Sequence, residues 1–225
     1  MRATASLTSV RSVVAVATPV LRPRWRGVLH RWAAIAFVPV FVVLLVVAEG
    51  AERPAVALHA VGVVGMLAVS ATYHSGRLSP AAFRVFKRLD HGTILLAIAG
   101  TYTAVTVLAL DGGAQTRMLW IVGVGAALGV AIRMAWLDAP YPVVAVVYLA
   151  VGWSALADLP GYAAGTTSVE LALIVAGGVL YTVGGVIYAL HRPVLRPATF
   201  GYHELFHAFV VAGALCHIVA VALLL

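Results

Sequence analysis

Charge is scarce in this sequence. Of 225 residues only 10% are charged, and just eight are acidic. A soluble domain carries about a quarter charged residues. The shortfall excludes an ordinary soluble enzyme, and 63% hydrophobic residues exclude a disordered chain. Cysteine is nearly absent as well. Cys216 alone cannot close an intrachain bridge, so the fold does not rest on disulfides. Apolar sequence is what abounds, with a mean hydropathy of +1.02. Lipid removes the need for a polar surface, so these values fit an all-α polytopic membrane protein.

Seven apolar stretches are readable. They run over about Trp32–Val47, Ala55–Tyr73, Leu89–Leu110, Met118–Leu137, Tyr141–Ala157, Val169–Leu190 and His203–Leu225. Asp138-Ala139-Pro140-Tyr141-Pro142 reads as a tight turn between the fourth and fifth. Seven spans of roughly 20 residues leave no room for a second soluble domain. The expected layout is therefore an N-terminal segment, 1–31, and a seven-transmembrane domain, 32–225. Val13–Val16 faintly resembles a signal-peptide core, but the run is too short to span and arginines follow it. The head is read as a cytoplasmic tail with room for a short interfacial helix.

The cations are distributed unevenly. Thirteen of the fifteen lie in the head, after the second span, at the end of the fourth and after the sixth. Only Arg53 and Arg117 fall on the other side, where Glu49, Glu52, Asp111, Asp158 and Glu170 also lie. The positive-inside rule puts the N-terminus in the cytoplasm and the C-terminus outside. The net charge of +7 is thus a topology signal, and no nucleic-acid partner is expected.

An ionisable residue inside a span is costly and marks a candidate site. His203-Glu204-Leu205-Phe206-His207 opens the last span with two histidines one helical turn apart, so both can reach one metal ion. The competing reading is two histidines stacked at the membrane surface. Ser70 and His74 share the same spacing and close the second span. Asp90 lies just inside the start of the third. By the inferred topology His74, Asp90, His203 and His207 stand at one depth, near the cytoplasmic face. Three histidines and a carboxylate at one level suit Zn²⁺ with an open fourth position. Zinc acidifies water, Asp90 can act as general base, and Ser70 can orient a ligand or a substrate carbonyl. His30 and His191 read as interfacial, and His59 as a satisfied or lumen-facing histidine.

Ser70-xxx-His74, then Leu89-Asp90-His91-Gly92 with Gly100-Thr101-Tyr102-Thr103, then His203-xxx-His207 together resemble the progestin and adipoQ receptor family, in its bacterial haemolysin III branch. Arg26-Gly27-Val28-Leu29-His30 also looks like that branch. The resemblance implies seven spans in a bacterial inner membrane. It implies zinc on His74, His203 and His207, with Asp90 at the water and Ser70 as the motif serine. His217 matches no ligand of the family, and His91 points about 100° away from Asp90. Because the wider superfamily includes alkaline ceramidases, the resemblance implies a membrane lipid as partner and a ceramide-like amide as substrate.

Three other functions compete with a zinc-dependent lipid amidohydrolase. A lipid or fluidity sensor would use the zinc structurally, although structural zinc normally has four protein ligands. An intramembrane metalloprotease would use His203-Glu204-xx-His207 as HExxH, with Glu204 as base. The order of the motifs counts against it. A pore-forming haemolysin needs polar stripes along several spans, which the sequence lacks. Trp32, Trp120, Trp136 and Tyr141 read as interfacial belts, and Trp153 as packing inside the bundle. Glycines of the fourth and sixth spans (Gly123, Gly125, Gly129, Gly177, Gly178, Gly184 and Gly185) read as sites of close helix approach.

Overall fold

A computed structural model describes residues 23–193, 195–196 and 198–225. The expected cytoplasmic tail lies mostly outside these residues. Among the described residues the chain is all helical, with no strand: α1 (Val28–Val47), α2 (Glu52–Tyr73), α3 (Pro80–Ala109), α4 (Gly112–Ala135), α5 (Tyr141–Gly152), α6 (Leu159–Gly165), α7 (Ser168–Leu190) and α8 (Tyr202–Leu224). A 3-10 turn, Ser154–Asp158, joins α5 to α6, and together they make the fifth span. Seven helical segments are long and apolar enough to cross a membrane.

The burial pattern is inverted relative to a soluble protein. Val46, Val61, Trp120 and Val146 face outward. His59, Ser70, Arg133, Glu204 and His207 are buried. Only an apolar solvent makes that arrangement favourable, because unpaired polar groups in hydrocarbon cost several kcal/mol. The chain is a multi-pass membrane protein.

Helix starts differ from the expected ones where local capping extends the element. α3 begins nine residues before Leu89. The Ser79 hydroxyl accepts from the Ala82 N–H at 3.3 Å, and Pro80 takes the first helical position, which needs no partner for its nitrogen. The cations Arg84, Lys87 and Arg88 therefore sit on the first turns of a helix and not in a loop. The fifth span runs to Gly165, past the expected Ala157, because the 3-10 turn and the Pro160-bearing α6 continue it. α7 starts with a capping box: the Thr167 side chain accepts from Glu170 N–H, and the Glu170 carboxylate accepts from Thr167 N–H.

α2 and α3 are the most intimately paired helices, and two glycines explain it. A methyl on Gly62 would lie 2.8 Å from the Leu96 carbonyl, and one on Gly100 would lie 2.4 Å from that of Leu58. Each glycine thus seats the backbone four residues before the other glycine. Bare backbone at both points lets the axes close up, as small residues do in membrane bundles. α3 also touches α4, α5, α6 and α8, which makes it the central strut. Of the expected span-four and span-six glycines, Gly129 packs on Leu95, Gly177 on His217 and Gly184 on Phe209, while Gly123 meets nothing within 4 Å. Trp32, Trp120, Trp136 and Tyr141 are exposed, as interfacial residues should be. Trp153 donates its indole N–H to Thr182 at 2.9 Å inside the bundle.

Candidate metal centre

Two helix ends converge at the arginine-rich end of the bundle. His74 is the C-cap of α2, its N–H bonded to the Ser70 carbonyl at 2.9 Å. His203 and His207 lie one turn apart at the start of α8. The ligating nitrogens of these three histidines fall within 4.8 Å of one another. His74 Nε2 and His203 Nε2 are 3.1 Å apart. The rings of His203 and His207 have centroids 4.6 Å apart, and those of His74 and His207 5.2 Å. His207 is almost wholly buried, and its Nδ1 has no hydrogen-bond partner among the described residues.

The donor set fits a zinc ion. Imidazole nitrogens are ordinary zinc ligands, and three of them leave a fourth position open. Two neutral rings meeting nitrogen to nitrogen share one proton, and a cation in its place could take a lone pair from each ring.

α3 brings Asp90 to the same level. Its Oδ2 is 3.9 Å from His74 Nε2. Ser70, one turn before His74 on α2, lines the same cavity as Asp90. All five residues expected from the sequence therefore meet in one place. Glu204 does not join them. Its Oε2 accepts from the Gly201 N–H at 2.8 Å, and its Oε1 pairs with Arg26 Nε.

The centre stands between two spaces of different lining. On the arginine-rich side is a vestibule of about 580 Å³ with a mixed lining, in which Arg26, Lys87, Arg133 and Asp138 stand beside Leu78 and Phe83. On the other is an apolar cavity of about 150 Å³ that runs between the helices past Met66, Ile94, Trp153 and Val210 to His217. His74, Asp90 and His203 line both.

A family profile described as haemolysin-III related matches residues 19–218, nearly the full chain. The chain belongs to the haemolysin III family. It is 26% identical over 191 residues to Hemolysin-3 of Bacillus cereus, covering 84% of each chain. It is 28% identical over 130 residues to the Hemolysin-3 homolog of Bacillus subtilis, covering 58% of each. A shorter match, 40% identical over 57 residues, joins it to the ADIPOR-like receptor IZH2 of Saccharomyces cerevisiae, over 23% of this chain and 18% of that one. No solved structure matches.

In this haemolysin III protein the other histidines separate cleanly. His91 turns away from the centre, its Nδ1 2.8 Å from the buried Arg133 guanidinium. His59 is wholly buried, with Nδ1 3.1 Å from the Thr101 hydroxyl. His217 makes a polar contact deep in the bundle, Nε2 to the Ile174 carbonyl at 3.0 Å. His191 caps α7 in the left-handed region, φ 55°, and packs on Tyr141. His30 is the correction: it is not interfacial but buried, its ring stacked on His207 with centroids 3.7 Å apart. α1 begins at Val28, four residues before the expected Trp32, so His30 sits on the first helical turn and faces the bundle. Arg26 and Gly27 are also part of the surroundings. Gly27 has φ 75°, and a methyl there would come within 2.8 Å of His74 Cβ. The only signal for these three in the sequence was Arg26-Gly27-Val28-Leu29-His30, a motif of the resemblance with no assigned role.

Proposed function

We propose that this protein is a zinc-dependent hydrolase of membrane-lipid amides, with zinc held by His74, His203 and His207. One observation carries the reading: a three-histidine cluster with a carboxylate beside it stands where a charge-bearing vestibule meets an apolar cavity between the helices. Hydrolysis of a lipid needs water from one side and an acyl chain from the other, and this junction offers both. Zinc at such a site supplies a Lewis acid and makes water acidic near neutral pH.

The chain's own residues do the rest. Asp90 accepts the proton of the attacking water and returns it to the leaving amine. Ser70, which lines the cavity with Asp90, orients the carboxylate or the substrate carbonyl. Met66, Ile94 and Val210 exclude bulk water from the acyl chain. The protease reading loses its base, since both oxygens of Glu204 are engaged elsewhere.

The test begins with metal content of the detergent-purified protein, by elemental mass spectrometry, beside a His203→Ala/His207→Ala variant. About one zinc per chain, lost in the folded variant, is expected. Asp90→Asn is then expected to keep the zinc and to end release of fatty acid from a ceramide-like amide. Wild-type protein without zinc after zinc is supplied would sink the proposal. Asp90→Asn at full activity would sink the role of Asp90.

A further inference from the structure

Glu204 is a buried acid in the middle of the centre's own helix turn, yet it points elsewhere. It follows His203 by one residue, about 100° around α8, and its contacts lead away from the histidine cluster. It has no exposed surface, and each carboxylate oxygen has one partner: Gly201 N–H on Oε2 and Arg26 Nε on Oε1. The first contact ties Glu204 to the cap of its own helix. The second ties α8 to a segment 178 residues earlier.

That earlier segment is fastened at several points. Arg24 N–H donates to the Ala198 carbonyl and Trp25 N–H to the Thr199 carbonyl, both at 3.2 Å. Gly27 packs its bare Cα against His74. His30 stacks on His207, the planes within 12° of parallel. The run from Arg24 to His30 therefore touches the loop before α8, the start of α8 and two of the three candidate ligands.

We propose that Arg26 and Glu204 form a positioning clamp for the metal centre. The pair locks the first turn of α8 against this strap and so sets where His203 and His207 present their ring nitrogens to His74. The inference rests on the metal reading above and assigns to Arg26 and Glu204 a role in it. A buried carboxylate without its cation is strongly unfavourable, so the pair acts as a unit and neither half works alone. Residues that orient ligands from behind typically change metal affinity 10–100-fold when altered.

The test uses full-length protein in detergent, with zinc affinity read by competition against a chromophoric chelator. Absorption of bound Co²⁺ reports the geometry around the ion independently of turnover. Glu204→Gln and Arg26→Gln are each expected to weaken zinc about 10–100-fold and to shift the Co²⁺ bands. The Arg26→Gln/Glu204→Gln double variant is expected to fall no further than the worse single one, because coupled residues are non-additive. Single variants with wild-type zinc affinity, or losses that add in the double variant, would overturn the clamp. Should the Gln variants fail to fold, Arg26→Lys decides. It keeps the charge and loses the planar fork. Weakened zinc at unchanged helix content supports the clamp, and wild-type affinity overturns it. A wild type that binds neither zinc nor Co²⁺ overturns the metal reading itself and the clamp with it, a result distinct from metal bound equally well by every variant.

Discussion

Adding a single methyl group at Gly100 tests whether the close approach of α2 and α3 is what builds the bundle. In Gly100→Ala the new Cβ would stand 2.4 Å from the Leu58 carbonyl oxygen, 2.9 Å from its carbon and 3.1 Å from His59 Cα. These are backbone atoms, so no rotamer change relieves the contact. Real Cβ atoms essentially never approach closer than 3.0 Å, so the helices must part by at least 0.6 Å at that point. Overpacking of this kind costs about 1–3 kcal/mol. Replacing a helical glycine by alanine contributes roughly 0.5–1 kcal/mol the other way. The clash wins, leaving a net loss of up to about 2.5 kcal/mol. The parting also strains the bond between His59 and Thr101, which flank the contact on the two helices. Gly123→Ala is the matched control, since a methyl there meets nothing within 4 Å and only the helix term acts. Thermal unfolding in one detergent, followed by circular dichroism, should place Gly100→Ala below wild type and Gly123→Ala at or above it. A Gly100→Ala protein as stable as Gly123→Ala would refute the argument that backbone contact sets the α2–α3 distance.

Two further substitutions probe features away from the centre. Thr167→Ala removes one half of the capping box at the start of α7 and should cost about 1 kcal/mol, read as a lower unfolding midpoint and faster amide exchange over the first turn. Arg117→Ala breaks the 2.7 Å pair with Asp158 at the opposite end of the bundle. The arginine side chain is 55% exposed, so the loss should stay under about 1 kcal/mol and shrink further in high salt.

The five residues of the candidate centre were legible because the sequence isolates them. In so apolar a chain a carboxylate or imidazole inside a span is conspicuous, and spacings of four put Ser70 with His74 and His203 with His207 on common helix faces. Arginine counts then set the relative depth of three helices without any coordinates, and the convergence of His74, Asp90 and His203 agrees with that depth. Helix starts were less legible, because Ser79-Pro80 extends α3 through a stretch whose cations suggested a loop. The strap was hidden for a different reason. Arg26 counted as one more positive charge on the inner side, and as a topology signal it is interchangeable with Arg24 or Arg31. Its contact with Glu204 spans 178 residues and depends on how α1 and α8 pack, which no local periodicity encodes. Glu204 was ambiguous for the same reason: HExxH spacing is a property of one helix, whereas the choice between a base and a clamp is made by what stands opposite. Here an arginine stands opposite, and the acid faces away from the cluster. Motif spacing can therefore name the candidate ligands of such a centre, while the residues packed behind them come from whichever segment the tertiary fold brings there.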